Sequence, residues 1–166
     1  MTGDPQPWIR GPLVIDAAVL QELHAHARDT YPSECCGFVS GPRVEPDHLT
    51  TAMREENEAD KYHKLDPETF PRTSKTYFKI NELRATRALA AGEENDTPIK
   101  VIYHSHCDAG AYFSKEDAAT FASNNTLMWP CAFIVVSVME GEVRDTKLWV
   151  HEPGTNGFRE STLTVR

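Results

Sequence analysis

IKVIYHSHCDAGAYFSKEDAATFAS, residues 99–123, is the stretch on which the reading of this chain turns. IKVIYH is a short apolar run with β-branched residues and reads as a strand; SHCDAGAYF reads as a loop. SKEDAATFAS then opens a helix with Ser114 as its cap. His104 and His106 stand two apart at the end of the strand, so they share one face about 7 Å apart and can converge on one ion. Asp117 lies one turn into the helix, where its carboxylate can return to the strand end. Two nitrogens and one oxygen leave a fourth tetrahedral position for water, the arrangement of a catalytic rather than a structural zinc.

Spacing means little without the secondary structure beneath it. His24 and His26 have the same separation but fall on a helix, where positions i and i+2 diverge by about 200°. That pair cannot chelate one ion and reads as surface or partly packed histidine.

Working outward, Asp16 is a candidate N-cap for AAVLQELHAHARDTY, with Val19, Leu20, Leu23 and Ala27 at helical spacing and Pro32 as the stop. Residues 1–12, with three prolines and two glycines, read as a loose, flexible arm before a short strand, Leu13 to Ile15. CCGFVSG reads as a buried strand, residues 47–58 as a second strand, and residues 61–75 as loop. Ile80 to Ala91 has helical spacing with Gly92 as its stop. After the central stretch, CAFIVVSVM and VRDTKLWVH form a predicted hairpin across EGE, and STLTV is a last strand. The strands and helices do not alternate strictly, which predicts a mixed α/β fold: one domain, 13–166, with a mixed sheet flanked by helices.

A chain of 166 residues is long enough for one core, burying roughly 70% of its unfolded surface. With 25 acidic and 17 basic residues its formal net charge is −8, which opposes broad nucleic-acid binding. The N-terminal stretch lacks a signal pattern and the longest apolar run is too short to span a bilayer, so a cytoplasmic protein without a membrane partner is expected. The four cysteines do not suggest a disulfide framework, and buried reduced thiols are expected.

Hydrolysis at such a metal needs a base for the water, and Glu34, just before CCGFVSG, is the candidate. Ser114 is placed to donate to the oxyanion of a tetrahedral intermediate, although a helix-capping serine needs no second duty. Trp129 is expected to be packing, while Tyr112 and Phe113 suit either packing or a substrate groove. Asn57 is a weaker candidate for orienting a substrate backbone.

At these residues the sequence resembles the JAMM/MPN+ metalloprotease family, whose pattern is an upstream Glu followed by H-x-H-x7-S-x2-D. Glu34, His104, His106, Ser114 and Asp117 supply every element, and PSECCGFVSG resembles the family's P-x-E-x-C-G segment. The fixed-register part would arise by chance with a probability on the order of one in a thousand. The resemblance implies one zinc per chain on His104, His106 and Asp117, Glu34 as general acid/base, and Ser114 at the oxyanion. It implies the MPN/JAB architecture, related to cytidine deaminase. It also implies peptide or isopeptide cleavage after the C-terminus of a ubiquitin-like protein. Short prokaryotic members often act on sulfur carriers, removing an appended residue. Many relatives have proline where this chain has Cys107; a tolerated substitution is favoured over an extra ligand or a redox-sensitive thiol.

Alternative readings are a RadC-like DNA-repair-associated protein and a non-catalytic MPN scaffold. No DNA-binding helix-hairpin-helix segment is found, and no ligand is missing. Deaminase chemistry is set aside because no H-x-E occurs upstream and Pro130-Cys131 lacks its second cysteine. Strand edges such as 47–56 are candidates for pairing with a substrate tail or between copies in a homodimer.

Overall fold

A computed structural model describes residues 5–166. Its centre is the strand anticipated from the opening stretch, β5 (Ile99–Cys107), buried almost throughout. On one side β5 pairs antiparallel with β2 (Cys36–Ser40), and on the other it pairs parallel with β8 (Ala132–Met139). The sheet extends from β8 through β9 (Glu142–His151) to β10 (Phe158–Ser161), and from β2 to β4 (Thr51–Glu55). The order is β10-β9-β8-β5-β2-β4, so both parallel and antiparallel neighbours occur. A second, small sheet joins β1 (Leu13–Ile15), β3 (His48–Leu49) and β11 (Leu163–Val165) in parallel, and β6 (Ala122–Ser123) pairs antiparallel with β7 (Thr126–Leu127).

Alternation along the central strands divides the interior into two cores. Val101 and Tyr103 face one side, with Leu23 and Ala27 of α1 (Ala17–Thr30) and with Ile134 and Val136 of β8. Ile102, Phe38 and Phe133 face the other, with Ala85 of α3 (Glu82–Glu94) and Phe121 of α4 (Lys115–Phe121). His104 and His106 therefore project toward the α3/α4 face, one strand step beyond Ile102. A mixed sheet flanked by helices is the observed fold.

Several elements depart from the sequence expectations. The loose arm was expected to reach residue 12, yet Pro7–Arg10 forms a 3-10 turn. It inserts Trp8 into the core, with Nε1 donating to the Pro130 carbonyl at 2.8 Å. Residues 1–4 lie outside the described residues. The stretch expected as loop at 61–75 begins inside a helix, α2 (Ala59–Leu65), whose only buried residue is Ala59; a helix this exposed has no apolar period to read. The strand expected at 47–58 is split at Thr50 between the two sheets, leaving β4 at the sheet edge with β2 as its partner. STLTV is likewise divided between β10 and β11.

Gly92 does not stop α3, which continues to Glu94. The glycine is required by a close approach instead: a Cβ there would stand 2.8 Å from the Thr97 carbonyl oxygen. Gly37 serves β2 in the same way, since a Cβ would meet the Met53 carbonyl at 2.3 Å and the Tyr103 ring at 2.6 Å. Asp16 does occupy the N-cap of α1, but its carboxylate meets His48 Nε2 at 2.6 Å rather than a helix N–H.

Candidate metal centre

The strand and the helix bring three side chains to a point. Nε2 of His104 and Nε2 of His106 lie 3.2 Å apart, and Oδ2 of Asp117 lies 3.1 Å and 3.3 Å from them. All three residues are buried and form the cluster with metal-ligating geometry among the described residues. Asp117 is held from its own helix: Ser114 caps α4, its Oγ accepting the Asp117 N–H while Asp117 Oδ2 accepts the Ser114 N–H, each at 3.0 Å. This reciprocal capping box orients the carboxylate without help from any ion.

The protonation pattern tests whether a cation fits. The Gly110 carbonyl is 2.8 Å from His106 Nδ1 and can only accept, so Nδ1 carries the proton. The Nε2 of a neutral His106 therefore points a lone pair at a carboxylate oxygen. Such a contact is repulsive unless the ring takes up a second proton and donates it to Asp117, or a cation lies between; a divalent metal on two imidazole nitrogens and one carboxylate satisfies all three with the rings neutral. The same field acts on the ionisable groups. Burial alone would push the Asp117 carboxyl up, but His104 and the hydrogen bonds from His106 and Ser114 hold it far below the usual carboxylate range. Burial lowers His106, and Asp117 more than reverses this, so its pKa is raised.

Glu34, Ser114, His106 and Asp117 line one open cavity of about 280 Å³. Burial pushes the Glu34 carboxyl up to about 7, against the lowering influence of His104 and His106. A carboxyl group poised there exchanges a proton readily near neutral pH. The Ser114 Oγ accepts the Asp117 N–H, which leaves its own O–H free to donate into the cavity.

The structure also identifies supporting residues that the sequence reading did not single out. Ser105, between the two histidines, faces away from them; its Oγ accepts the Cys35 N–H at 2.8 Å, and its N–H donates to the Cys35 carbonyl at 3.1 Å. These bonds set Glu34, one residue earlier, against β5. Phe78 stacks on the His104 ring with centroids 4.3 Å apart. Its only sequence signal was an aromatic residue in a segment without period.

Asn57 has no capacity left to orient a substrate. Its Nδ2 donates to the Glu34 and Tyr77 carbonyls, both at 2.9 Å, and its Oδ1 accepts from the Ala59 and Lys79 N–H groups. It is a clamp joining three segments behind Glu34. Trp129 packs edge-on against Phe121, and Phe113 packs among Phe133, Phe158 and Trp149. Tyr112 differs: it is 51% exposed, lines the cavity and lies 4.9 Å from the His106 ring. The cysteines are free thiols, three of them buried, and the converging ligand set does not include Cys107. His26, read from the sequence as surface or partly packed, is buried with Nδ1 2.7 Å from the Tyr103 hydroxyl.

Among the described residues no helix is long and apolar enough to cross a membrane. Comparison with known proteins places this arrangement. The chain is 30% identical over 105 residues to the CysO-cysteine peptidase of Mycobacterium tuberculosis, a match covering 63% of this chain and 62% of that relative's length. Its fold is similar to a solution structure from Desulfitobacterium hafniense, with TM-score 0.68, 19% identity and 93% of each chain covered. It is also similar to a JAB1/MPN domain protein from Archaeoglobus fulgidus, with TM-score 0.54, 14% identity, and 94% of this chain and 99% of that one covered. Residues 16–151 match the family described as prokaryotic homologs of the JAB domain. That match runs from the cap of α1 to the end of β9 and takes in all five residues of the motif, so the chain belongs to the prokaryotic JAB branch of the JAMM/MPN family.

Proposed function

We propose that the protein is a zinc metallopeptidase that removes a residue appended to the C-terminal tail of a ubiquitin-like or sulfur-carrier protein. The observation that carries this reading is the convergence of His104 Nε2, His106 Nε2 and Asp117 Oδ2 at the wall of a cavity that also holds Glu34 and Ser114. The relative's name, CysO-cysteine peptidase, supports a substrate in which a cysteine is attached to a protein.

Zinc held by the three ligands would supply Lewis-acid activation of water and of the scissile carbonyl. The chain's own residues do the rest. Glu34 takes the proton of the attacking water and passes it to the departing amine, a double duty suited to a carboxyl whose pKa is pushed up to about 7 by burial. Ser114 donates its free O–H to the oxygen that becomes negative as the carbonyl carbon turns tetrahedral. The buried ligands and the fixed capping box keep these groups in place throughout the reaction.

The test is metal content and turnover measured together. Purified wild type is expected to hold about one zinc per chain. His106→Ala and Asp117→Ala are expected to lose it, and only the loaded wild type is expected to release cysteine from a CysO-cysteine adduct. A carefully prepared wild type without zinc would make the protein a scaffold. Zinc binding without release of cysteine would refute the proposed substrate.

A further inference from the structure

In a chain of formal net charge −8, the cavity beside the metal centre is lined by three cationic side chains, Arg72, Lys75 and Lys115. Three carboxylates line it as well, Glu34, Glu116 and Asp117. Asp117 is turned into the two histidines, and Glu116 meets Arg72, Oε2 to Nη1, at 3.6 Å. Among the described residues Lys75 and Lys115 have no ion-pair partner. With Asp117 committed to the histidines and Glu116 to Arg72, Lys75 and Lys115 face only the carboxyl of Glu34 across the recess, and such a recess is suited to an anion.

Its position says which anion. The Glu34 N–H donates to the Ser74 carbonyl at 2.7 Å, so the segment carrying Arg72 and Lys75 is bonded directly to the backbone of the proposed general acid. Glu34 must deliver its proton to the departing amine, and its side chain shares one cavity with Arg72 and Lys75. When a free amino acid is released, its amine and its α-carboxylate flank the same carbon, so the carboxylate stays next to the nitrogen that Glu34 protonates. When a lysine side chain is released, its amine sits at the end of an aliphatic stem with no negative charge near it.

Building on the peptidase reading above, we infer that Arg72, Lys75 and Lys115 bind the free α-carboxylate of a single C-terminal residue and make the protein an exopeptidase rather than an isopeptidase. The step is a hydrolysis: water oxygen bonds to the tail's carbonyl carbon, the C–N bond breaks, and the proton carried by Glu34 goes to the nitrogen. The products are the shortened tail with its own carboxylate and one free amino acid.

The experiment compares the zinc-loaded enzyme on three forms of the CysO-cysteine adduct: free α-carboxylate, α-carboxamide, and a form in which the tail is attached to a lysine side chain. Wild type is expected to favour the free acid over the amide by about tenfold in kcat/KM, chiefly through KM, and to cleave the lysine-linked form more slowly still. The acid-to-amide ratio is expected to fall toward one in Arg72→Gln and in Lys75→Gln/Lys115→Gln, and to be partly restored in Arg72→Lys. Equal rates on acid and amide in wild type, or an unchanged ratio in both charge-removing variants, would overturn the carboxylate site and leave the peptidase standing. Cleavage of none of the three forms would overturn the peptidase reading, and this inference with it.

Discussion

Ser114 has a structural duty at the start of α4 beside its proposed chemical one, whereas the duty proposed for Glu34 is chemical alone. Ser114 caps α4 through its oxygen lone pair and keeps its proton, so capping and donation do not compete. The two side chains predict different losses. Glu34→Gln should lower kcat by roughly 10²–10⁴-fold, because the amide can neither take nor return the proton. Zinc content should stay at the wild-type value. Ser114→Ala should cost roughly 10²-fold through the lost oxyanion donor, together with about 1 kcal/mol of stability from the lost cap. Steady-state kinetics beside metal analysis and thermal melting separates these effects; turnover unchanged in Glu34→Gln would remove it from the mechanism. At this scale His104, His106, Ser114 and Asp117 were legible because they lie on one strand and at the start of the next helix, where period and capping are local properties. Phe78 and Asn57 were not legible, since stacking and clamping depend on what the fold brings beside them.

Among the elements, α1 is fastened to β5 by a buried polar contact, His26 Nδ1 to the Tyr103 hydroxyl, on the face opposite the metal ligands. Burial pushes the His26 pKa from 6.5 down to about 4, assisted by Arg54 and opposed by Glu22 and Asp29. Above pH 6.5 both folded and unfolded chains leave this histidine neutral, and its contribution to stability is complete. As the pH falls from 6.5 toward 4, the unfolded chain takes up the proton while the folded chain resists, so stability declines. His26→Gln, which retains a hydrogen-bonding side chain, should flatten the acid limb of denaturant midpoints by about 1–2 kcal/mol, a figure reduced for the solvent-exposed charges nearby. Parallel acid limbs in wild type and variant would show that other groups set the acid response. The sequence placed His24 and His26 on a helix correctly but not which of them the sheet would cover. Only the docking angle of α1 decides that, and a helix with a modest apolar stripe does not announce it.

For the whole molecule, the centre joins segments far apart in the chain: β5 and α4 hold the proposed ligands, and the turn before β2 holds Glu34. A metal bound to the folded state alone stabilises everything those segments hold together. Stripping it with a chelator should lower Tm by roughly 5–10 °C, for a site stabilising by about 2–4 kcal/mol. Asp117→Ala should not respond to the chelator, and Tm should recover in the wild type when zinc is returned. A wild-type Tm indifferent to both treatments would mean that no metal stabilises this fold.

By itself the sequence determined the strand, the loop and the capped helix of residues 99–121, and with them the three converging side chains His104, His106 and Asp117. Their spacing is governed by the repeat of two along a strand and by hydrogen bonds three residues apart at a helix start, both properties of adjacent residues. The motif also singled out Glu34, without showing what holds it. Tertiary structure alone decided that β2 lies beside β5, that Ser105 fastens Cys35, and that residues 72–75 fold back against Glu34 with their positive charge. Those are pairings between distant segments. Their register follows from which surfaces bury one another in the assembled core, and no local period in the chain encodes it.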